Sequence, residues 1–164
     1  MNPVEPRELL RLDHEFFEYE VRPHLGAVLL KSKVLRPEQL DEALAQQAKE
    51  RKRLGEILVE RGWIFPQDVA RALAVQHGLD YVDIHHVSVD PGAAIYLDPE
   101  IGLRQCAIPV RFLPDGTLLV AVADPTSDGL SEVIRAIPRA ASFAVTEADD
   151  IRSAWRLLLR GYRP

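Results

Sequence analysis

Apolar residues recur at helical spacing in two stretches of the first half of the chain, and the two stretches match each other. In residues 24–47, Leu25 and Leu29 are separated by one helical turn, as are Leu40 and Leu44. Side chains at this spacing share one face of a helix, so the stretch predicts a short helix, a turn and a longer helix. Residues 53–76 repeat the pattern after the spacer 48–52. The matched pairs are Leu25/Leu54, Gly26/Gly55, Leu29/Leu58, Leu30/Val59, Leu35/Ile64, Pro37/Pro66, Leu40/Val69, Ala43/Ala72, Leu44/Leu73 and Gln47/Gln76.

Two copies predict a closed, pseudo-two-fold unit, because a solenoid usually needs about three or more repeats to bury a continuous core. The leucines can be explained as the shared core of four helices, the ordinary role of an apolar stripe. Gly26 and Gly55 fit that explanation less well, since glycine in a helix is favoured where a backbone or a ligand must come close. Gln47 and Gln76 add amide donors and acceptors to an apolar stripe.

The second half of the chain has strand and helix patterns in alternation. Two strand-like runs, residues 107–113 and 117–123, flank Pro114-Asp115-Gly116 and predict a hairpin. We also expect strands over 81–84 and 142–145, and helices over about 128–137 and 146–159, the last capped by Thr146.

The predicted fold class is therefore α+β, with an N-terminal helical tandem-repeat subdomain followed by a small α/β subdomain. A leading stretch adds an amphipathic helix over residues 7–20. The predicted division is a leading helix in 1–23, the tandem-repeat subdomain in 24–78, the α/β subdomain in 79–160 and a linker or tail in 161–164.

Composition narrows the function. The 164 residues carry a net charge of −5, which argues against binding to nucleic-acid polymers or membrane surfaces. No apolar run approaches the ~20 residues of a membrane span, and the first ten residues lack a signal-peptide pattern, so we expect a cytoplasmic protein. The basic cluster Lys49, Arg51, Lys52 and Arg53 is either an anion site or a solvated helix end.

Motifs for catalysis are not found. The sequence has no glycine-rich phosphate loop, no G-x-S-x-G and no H-E-x-x-H. Asp83, His85 and His86 make a poor metal site, because adjacent side chains on a strand point to opposite faces. The single Cys106 is better explained as a small core residue than as a nucleophile. We therefore expect no enzymatic activity, no cofactor and no metal.

The second copy resembles a specific family motif. Residues 53–76 follow R-L-G-x-x-L-V-x-x-G-x-I-x-x-x-x-L-x-x-x-L-x-x-Q with Val69 as the departure, and Ile108-Pro109 and Ala123-Asp124-Pro125 are similar to the same family's α/β segment. The family is the MshEN domain, the N-terminal domain of assembly ATPases of type II secretion and type IV pilus machines and of some bacterial glycosyltransferases. The resemblance covers about residues 24–160.

The resemblance implies that the tandem motifs bind cyclic di-GMP, one motif for each half of the ligand. It also implies a regulatory role and a position in the cytoplasm, peripheral at the inner membrane through a partner. The ligand contacts that it implies are Arg22, His24, Leu25, Gly26, Leu40, Leu44 and Gln47 around the first copy, Arg53, Leu54, Gly55, Val69, Leu73 and Gln76 in the second, and Asp124 as an acceptor for a guanine edge.

The first copy departs from the family pattern at two positions. His24 stands where the family has arginine, and an imidazole lacks the bidentate fork of a guanidinium. Arg22 is close enough in sequence to take its place. Lys33 stands where glycine is preferred for a left-handed backbone. The alternative function is therefore a domain that has lost the ligand and docks an ATPase to its membrane-platform partner.

Overall fold

The computed structural model describes residues 23–126 and 128–161. The predicted leading helix over 7–20 and Arg22 lie outside this part of the chain. No helix in it is long and apolar enough to cross a membrane.

Four helices form the repeats. They are α1 (Leu25–Lys31), α2 (Pro37–Gln47), α3 (Leu54–Glu60) and α4 (Pro66–His77). Both longer helices begin at a proline, where a missing N–H is tolerated. Both shorter helices are followed by a residue in the left-handed region, Lys33 with φ 58° and Gly62 with φ 69°. The predicted helix, turn and helix of each copy is confirmed, and Lys33 adopts a backbone conformation that suits glycine better.

Each copy packs against the other, so two repeats are enough to bury a common core. The short helix α1 lies against α4 of the other copy, and α2 lies against α3. Between them is a shared core in which the matched residues Leu29 and Leu58 are almost completely buried. Each copy thus supplies the partner surface that the other needs.

Gly26 and Gly55 are explained by contacts inside each repeat. A Cβ on Gly26 would lie 2.8 Å from Cδ1 of Leu40, and a Cβ on Gly55 would lie 2.8 Å from Cγ1 of Val69. Glycine therefore lets the short helix approach a side chain of the longer one. A close approach was expected from the sequence, and here it is made by a packed side chain.

The second half forms a mixed four-stranded sheet with helices around it. Its elements are β1 (Asp80–Tyr81), α5 (Pro91–Ala94), α6 (Pro99–Gln105), β2 (Ala107–Phe112), β3 (Leu118–Val122), α7 (Gly129–Ala136), β4 (Ala141–Val145) and α8 (Ala148–Gly161). The strand order is β1-β4-β3-β2, with β3 antiparallel to β2 and parallel to β4, which in turn is parallel to β1. The hairpin turns at Gly116, φ 83°, as predicted.

Two local predictions were wrong. The strand expected over 81–84 is limited to Asp80–Tyr81, because the Asp83 carboxylate accepts the backbone N–H groups of His85 (3.1 Å) and His86 (3.3 Å) and turns the chain. Thr146 does not cap the last helix. It is buried, and its hydroxyl donates to the Glu147 carboxylate at 3.2 Å, while the first turn of α8 is closed by Ile151 N–H bonding to the Glu147 carbonyl.

Helix α4 joins the two halves. Ala70 and Ala74 on this helix are buried against Val145 of β4. Small side chains allow the helix to lie close to the sheet, and Leu73 and Tyr81 pack around the same contact. The position of the repeats relative to the sheet therefore depends on α4.

The glycine contacts predict unequal costs for equivalent substitutions. Gly55→Ala should lower the free energy of unfolding by about 1–3 kcal/mol, because the new Cβ meets Val69, whose branched side chain has one preferred rotamer in a helix. Gly26→Ala should cost less, because Leu40 can rotate its terminal methyl groups away. Urea unfolding of both variants measures the difference.

The matched control is Gly161→Ala, since nothing lies within 4 Å of a Cβ at that helical position. It should leave the unfolding midpoint unchanged or slightly raised, because alanine is favoured over glycine in a helix and meets no clash here. An equal or reversed order of Gly26→Ala and Gly55→Ala would contradict this account of the two glycines.

Candidate functional site

A cleft with a volume of about 660 Å³ lies where the second repeat meets the α/β half. This volume is in the range of small-molecule sites. The repeats contribute Leu25, Arg53, Leu54, Gly55, Glu56, Val59, Glu60, Pro66, Val69, Ala70 and Leu73, and the α/β half contributes Ala123, Asp124, Thr126, Thr146, Glu147 and Ala148.

Arg53 is positioned by the start of α3. It is the N-cap residue, with an extended backbone (φ −75°, ψ 147°), and its N–H donates to the Glu56 carboxylate at 3.1 Å. This geometry directs the side chain away from the helix, where 68% of it is exposed. The guanidinium forms an ion pair with Asp124 of the α/β half. The pair thus spans the junction of the two halves.

Asp124 is held by the turn that follows β3. Its Oδ1 accepts the Thr126 N–H at 2.8 Å and the Thr126 hydroxyl at 2.6 Å, while Oδ2 accepts from Arg53. Burial acts to raise the pKa of Asp124, but the hydrogen bonds from Thr126 and the charge of Arg53 outweigh it and hold this pKa below its usual value. The carboxylate is therefore ionised well below neutral pH.

One wall of the cleft is apolar. Leu25, Leu54, Val59, Val69 and Leu73 all line the cleft and are only partly buried. Such a surface offers contact area to a flat ring, while the ion pair at its edge offers donors and acceptors. The cleft is thus suited chemically to a ligand with aromatic rings and polar groups.

The structure brings together about half of the residues that the sequence indicated. Leu25, Arg53, Leu54, Gly55, Val69, Leu73 and Asp124 line the cleft, whereas His24, Gly26, Leu40, Leu44, Gln47 and Gln76 do not. The family resemblance implied one motif for each half of the ligand, but the first copy contributes only Leu25 to this cleft.

Several first-copy residues have other contacts. Leu40 covers Gly26. Gln47 donates its side-chain N–H to the Lys52 carbonyl at 3.1 Å, which fastens the spacer to the end of α2. Leu44 is 45% exposed. A contact of Gln47 with a ligand would therefore compete with this structural hydrogen bond.

The basic spacer is partly neutralised. Lys52 lies 2.7 Å from Glu60 and 3.7 Å from Glu50, and the hydrogen bond with Glu60 is the main cause of a raised Lys52 pKa. In the part of the chain that the structure describes, Lys49 and Arg51 form no ion pair. Lys49 and Arg51 are therefore exposed cations without an ion-pair partner among the described residues, close to the start of α3.

Sequence reasoning missed Thr126 and Glu147 as residues of the site. These residues follow the carboxyl ends of β3 and β4, which are adjacent parallel strands. Loops at the carboxyl ends of neighbouring parallel strands meet at one edge of a sheet, which is where ligands commonly bind in open α/β sheets. A prediction that β3 and β4 are paired in parallel would have pointed to both loops.

The fold and the cleft define a two-part α+β domain with a ligand-sized site at the junction of its parts. The chain belongs to the MshEN domain family, because the model of that family matches residues 77–162, more than half of the chain. The matched range is the α/β half, so the repeats fall outside it.

Two curated relatives extend the similarity into the repeats. The type IV pilus assembly ATPase PilB of Thermus thermophilus is 36% identical over 142 residues, which cover 85% of this chain and 15% of PilB. Bacteriophage adsorption protein B of Escherichia coli K12 is 29% identical over 150 residues, or 88% of this chain and 20% of that protein. This chain thus spans a small fraction of the length of these relatives.

Solved structures share the fold. A structure of MshE with cyclic di-GMP has a TM-score of 0.73 at 24% identity and covers 84% of this chain and 99% of that one. The N-terminal domain of XpsE has a TM-score of 0.62 at 22% identity, covering 84% of this chain and 93% of that one. The α+β fold predicted from the sequence is confirmed.

The lowered pKa of Asp124 predicts a pH-dependent stability. Asp124→Asn keeps an acceptor for the Thr126 N–H but removes the charge that pairs with Arg53. A carboxyl whose pKa is lower in the folded state stabilises the protein above its unfolded pKa of about 3.9. The loss in unfolding free energy, up to about 1 kcal/mol for this exposed pair, should be present at neutral pH and vanish as the pH falls through the folded pKa.

Urea unfolding of the wild type and Asp124→Asn between pH 7 and pH 3 measures this effect. Asp41→Asn, at an exposed position of α2, is the matched control and should show no such convergence. A difference that grows on acidification would rule out the stabilising pair.

Proposed function

We propose that this chain is a cyclic di-GMP receptor domain. The observation that carries the proposal is the cleft in which Arg53, Asp124 and the apolar wall face one space. The fold match to MshE, which has been solved with cyclic di-GMP, supports the choice of ligand.

The chemistry of the cleft matches the parts of this ligand. Arg53 can form charge-assisted, bidentate hydrogen bonds to a phosphate. Leu54, Val69 and Leu73 supply apolar area for a purine ring. Asp124 accepts hydrogen bonds from the donor edge of a guanine, and the repeat pair supplies a pseudo-two-fold frame for a two-fold symmetric dinucleotide.

Binding requires the Arg53–Asp124 pair to exchange partners. Arg53 would turn to a phosphate, and Asp124 would gain acceptor capacity for a base. Exposed ion pairs contribute about 0.2–1 kcal/mol, and Arg53 is 68% exposed. A ligand that provides two new charge-assisted bonds can offset this cost, so the pair is compatible with binding.

A second candidate is a docking module that keeps the fold without the ligand. It is favoured by the inequality of the two copies, since Arg53 pairs with Asp124, whereas His24, its counterpart at the start of α1, is exposed and forms no ion pair among the described residues. In this case a secretion or pilus membrane-platform protein or an ATPase domain is the partner.

In either case the domain would act as a regulatory or connecting part of a larger envelope system, a secretion or pilus ATPase or a related protein. PilB is itself a pilus assembly ATPase. The inferred place of action is the cytoplasm, at the inner membrane through a partner.

Titration of the purified chain with cyclic di-GMP tests the proposal. We expect saturable binding at low micromolar concentration or tighter, with about one ligand per chain, and no binding of GTP. Arg53→Ala should abolish it, because the variant removes the phosphate contact. Arg156→Ala, an exposed arginine of α8, is the matched control and should bind as the wild type does. Heat indistinguishable from dilution for the wild type would refute the receptor and favour the docking module.

His24→Arg tests the role of the first copy. It restores the arginine that the family pattern has at this position, and it should tighten cyclic di-GMP binding several-fold, by about 1 kcal/mol or more, through a charge-assisted bond to the second phosphate. The same titration gives the dissociation constants. An unchanged affinity would mean that the side chain at position 24 does not contact the ligand.

A further inference from the structure

A side chain of the first copy holds the peptide group that leads into the second copy. Gln47, the last residue of α2, donates its side-chain N–H to the carbonyl of Lys52 at 3.1 Å. Lys52 is the last residue of the spacer, and Arg53 is the first residue of the second copy. The first copy therefore reaches the start of α3, although Leu25 is its single contribution to the lining of the cleft.

The carbonyl of Lys52 and the N–H of Arg53 belong to the same peptide group. The N–H donates to the Glu56 carboxylate at 3.1 Å, so this planar group is bonded at two opposite edges, which limits its rotation. The carbonyl of Arg53 accepts the Ile57 N–H at 3.2 Å. Both peptide groups that flank the Cα of Arg53 are therefore held by hydrogen bonds.

The starting point of the Arg53 side chain follows from these bonds. Side-chain direction is coupled to the backbone, so a residue with both flanking peptides held has a restricted Cβ position. From this position the guanidinium reaches Asp124 of the α/β half. A restricted origin leaves the guanidinium fewer positions, which reduces the entropy lost when a ligand orders the side chain.

The bond from Gln47 has no equal substitute at this peptide. No backbone N–H of the described residues donates to the Lys52 carbonyl. The ion pairs of Lys52 with Glu60 and Glu50 hold the end of its own side chain, and such exposed pairs contribute little. The orientation of the peptide before Arg53 therefore depends on Gln47.

The second copy has no corresponding arrangement. Its matched glutamine is Gln76, and the residue at the same spacing of five positions is Tyr81, which lies in β1. The chain after the second copy enters the sheet, so no spacer follows for Gln76 to hold. The bond is thus a link from the first copy to the second alone.

We propose that Gln47 is a positioning residue for Arg53, through which the first copy takes part in ligand binding at the cleft. The inference rests on the proposed function and deepens it. It gives Gln47 a role other than the ligand contact that the family resemblance implies. Its consequence is that a change at position 47 alters Arg53 even when no ligand is present.

The test replaces Gln47 by methionine, which has a similar length and a similar helix propensity but no N–H. We expect Gln47→Met to bind cyclic di-GMP about threefold to tenfold more weakly than the wild type, because one hydrogen bond is lost. Gln46→Met is the matched control. It removes bonds to Glu50 and Arg61 in the same helical turn but leaves the Lys52 carbonyl bonded, so it should bind as the wild type does.

Hydrogen exchange without ligand distinguishes positioning from contact. The Arg53 amide is bonded to Glu56, and its exchange rate measured by NMR reports how firmly this peptide is held. In Gln47→Met we expect this amide to exchange about threefold to tenfold faster, while the amides of α4 keep their rates. In Gln46→Met the Arg53 amide should exchange at the wild-type rate.

The titration of Asp124 gives a readout at the guanidinium itself. Burial raises the pKa of Asp124, and the hydrogen bonds from Thr126 and the charge of Arg53 lower it. A less restricted Arg53 should pair with Asp124 for less of the time, so this pKa should rise in Gln47→Met and stay unchanged in Gln46→Met. The carboxyl chemical shift of Asp124 as a function of pH measures it.

The outcomes separate this inference from the proposed function. A weaker Gln47→Met with an unchanged Arg53 amide and an unchanged Asp124 pKa would show that Gln47 contacts the ligand directly, which overturns the positioning role and leaves the receptor intact. A Gln47→Met that binds as the wild type does also overturns it. If the wild type binds no cyclic di-GMP, the receptor is refuted, and the two ligand-free measurements still decide whether Gln47 positions Arg53.

Discussion

The contact of α4 with the sheet is the interaction on which the rest of the molecule depends. Ala70 and Ala74 lie against Val145, and their small size brings the helix close to β4. Because α4 also packs on α1, this contact fixes the whole repeat pair relative to the sheet. The cleft exists because the second repeat and the carboxyl ends of β3 and β4 are held at this separation.

Much of the fold could be predicted because it is encoded locally. The repeated leucine spacing gave four helices, the two prolines gave the starts of α2 and α4, and Pro114-Asp115-Gly116 gave the hairpin. Lys33 stands at the position of the first copy that corresponds to Gly62 in the second, and this alignment predicted a left-handed residue after α1. These features depend on neighbours in sequence, so periodicity and turn chemistry are sufficient to find them.

The site was harder to predict because its contacts join distant parts of the chain. Arg53 and Asp124 are paired across the junction, and Glu147 enters the cleft through the parallel pairing of β3 and β4. The sequence symmetry also suggested two equal halves of a site. Packing against the sheet breaks that equality, since the sheet lies against α4, which belongs to the second repeat. The second copy, which carries the complete motif, is the one beside it.

The link between α4 and β1 has a consequence for how the domain would come apart. Helix α4 ends at His77 and β1 begins at Asp80, with Gly78 in a left-handed conformation (φ 62°) between them. Such a short connection leaves the halves little freedom to separate while both stay folded, and separation would expose the alanine face of α4 to water. The two halves should therefore unfold together in one cooperative transition. A force that pulls on one half should displace the residues of the cleft directly, because no flexible hinge lies between the halves.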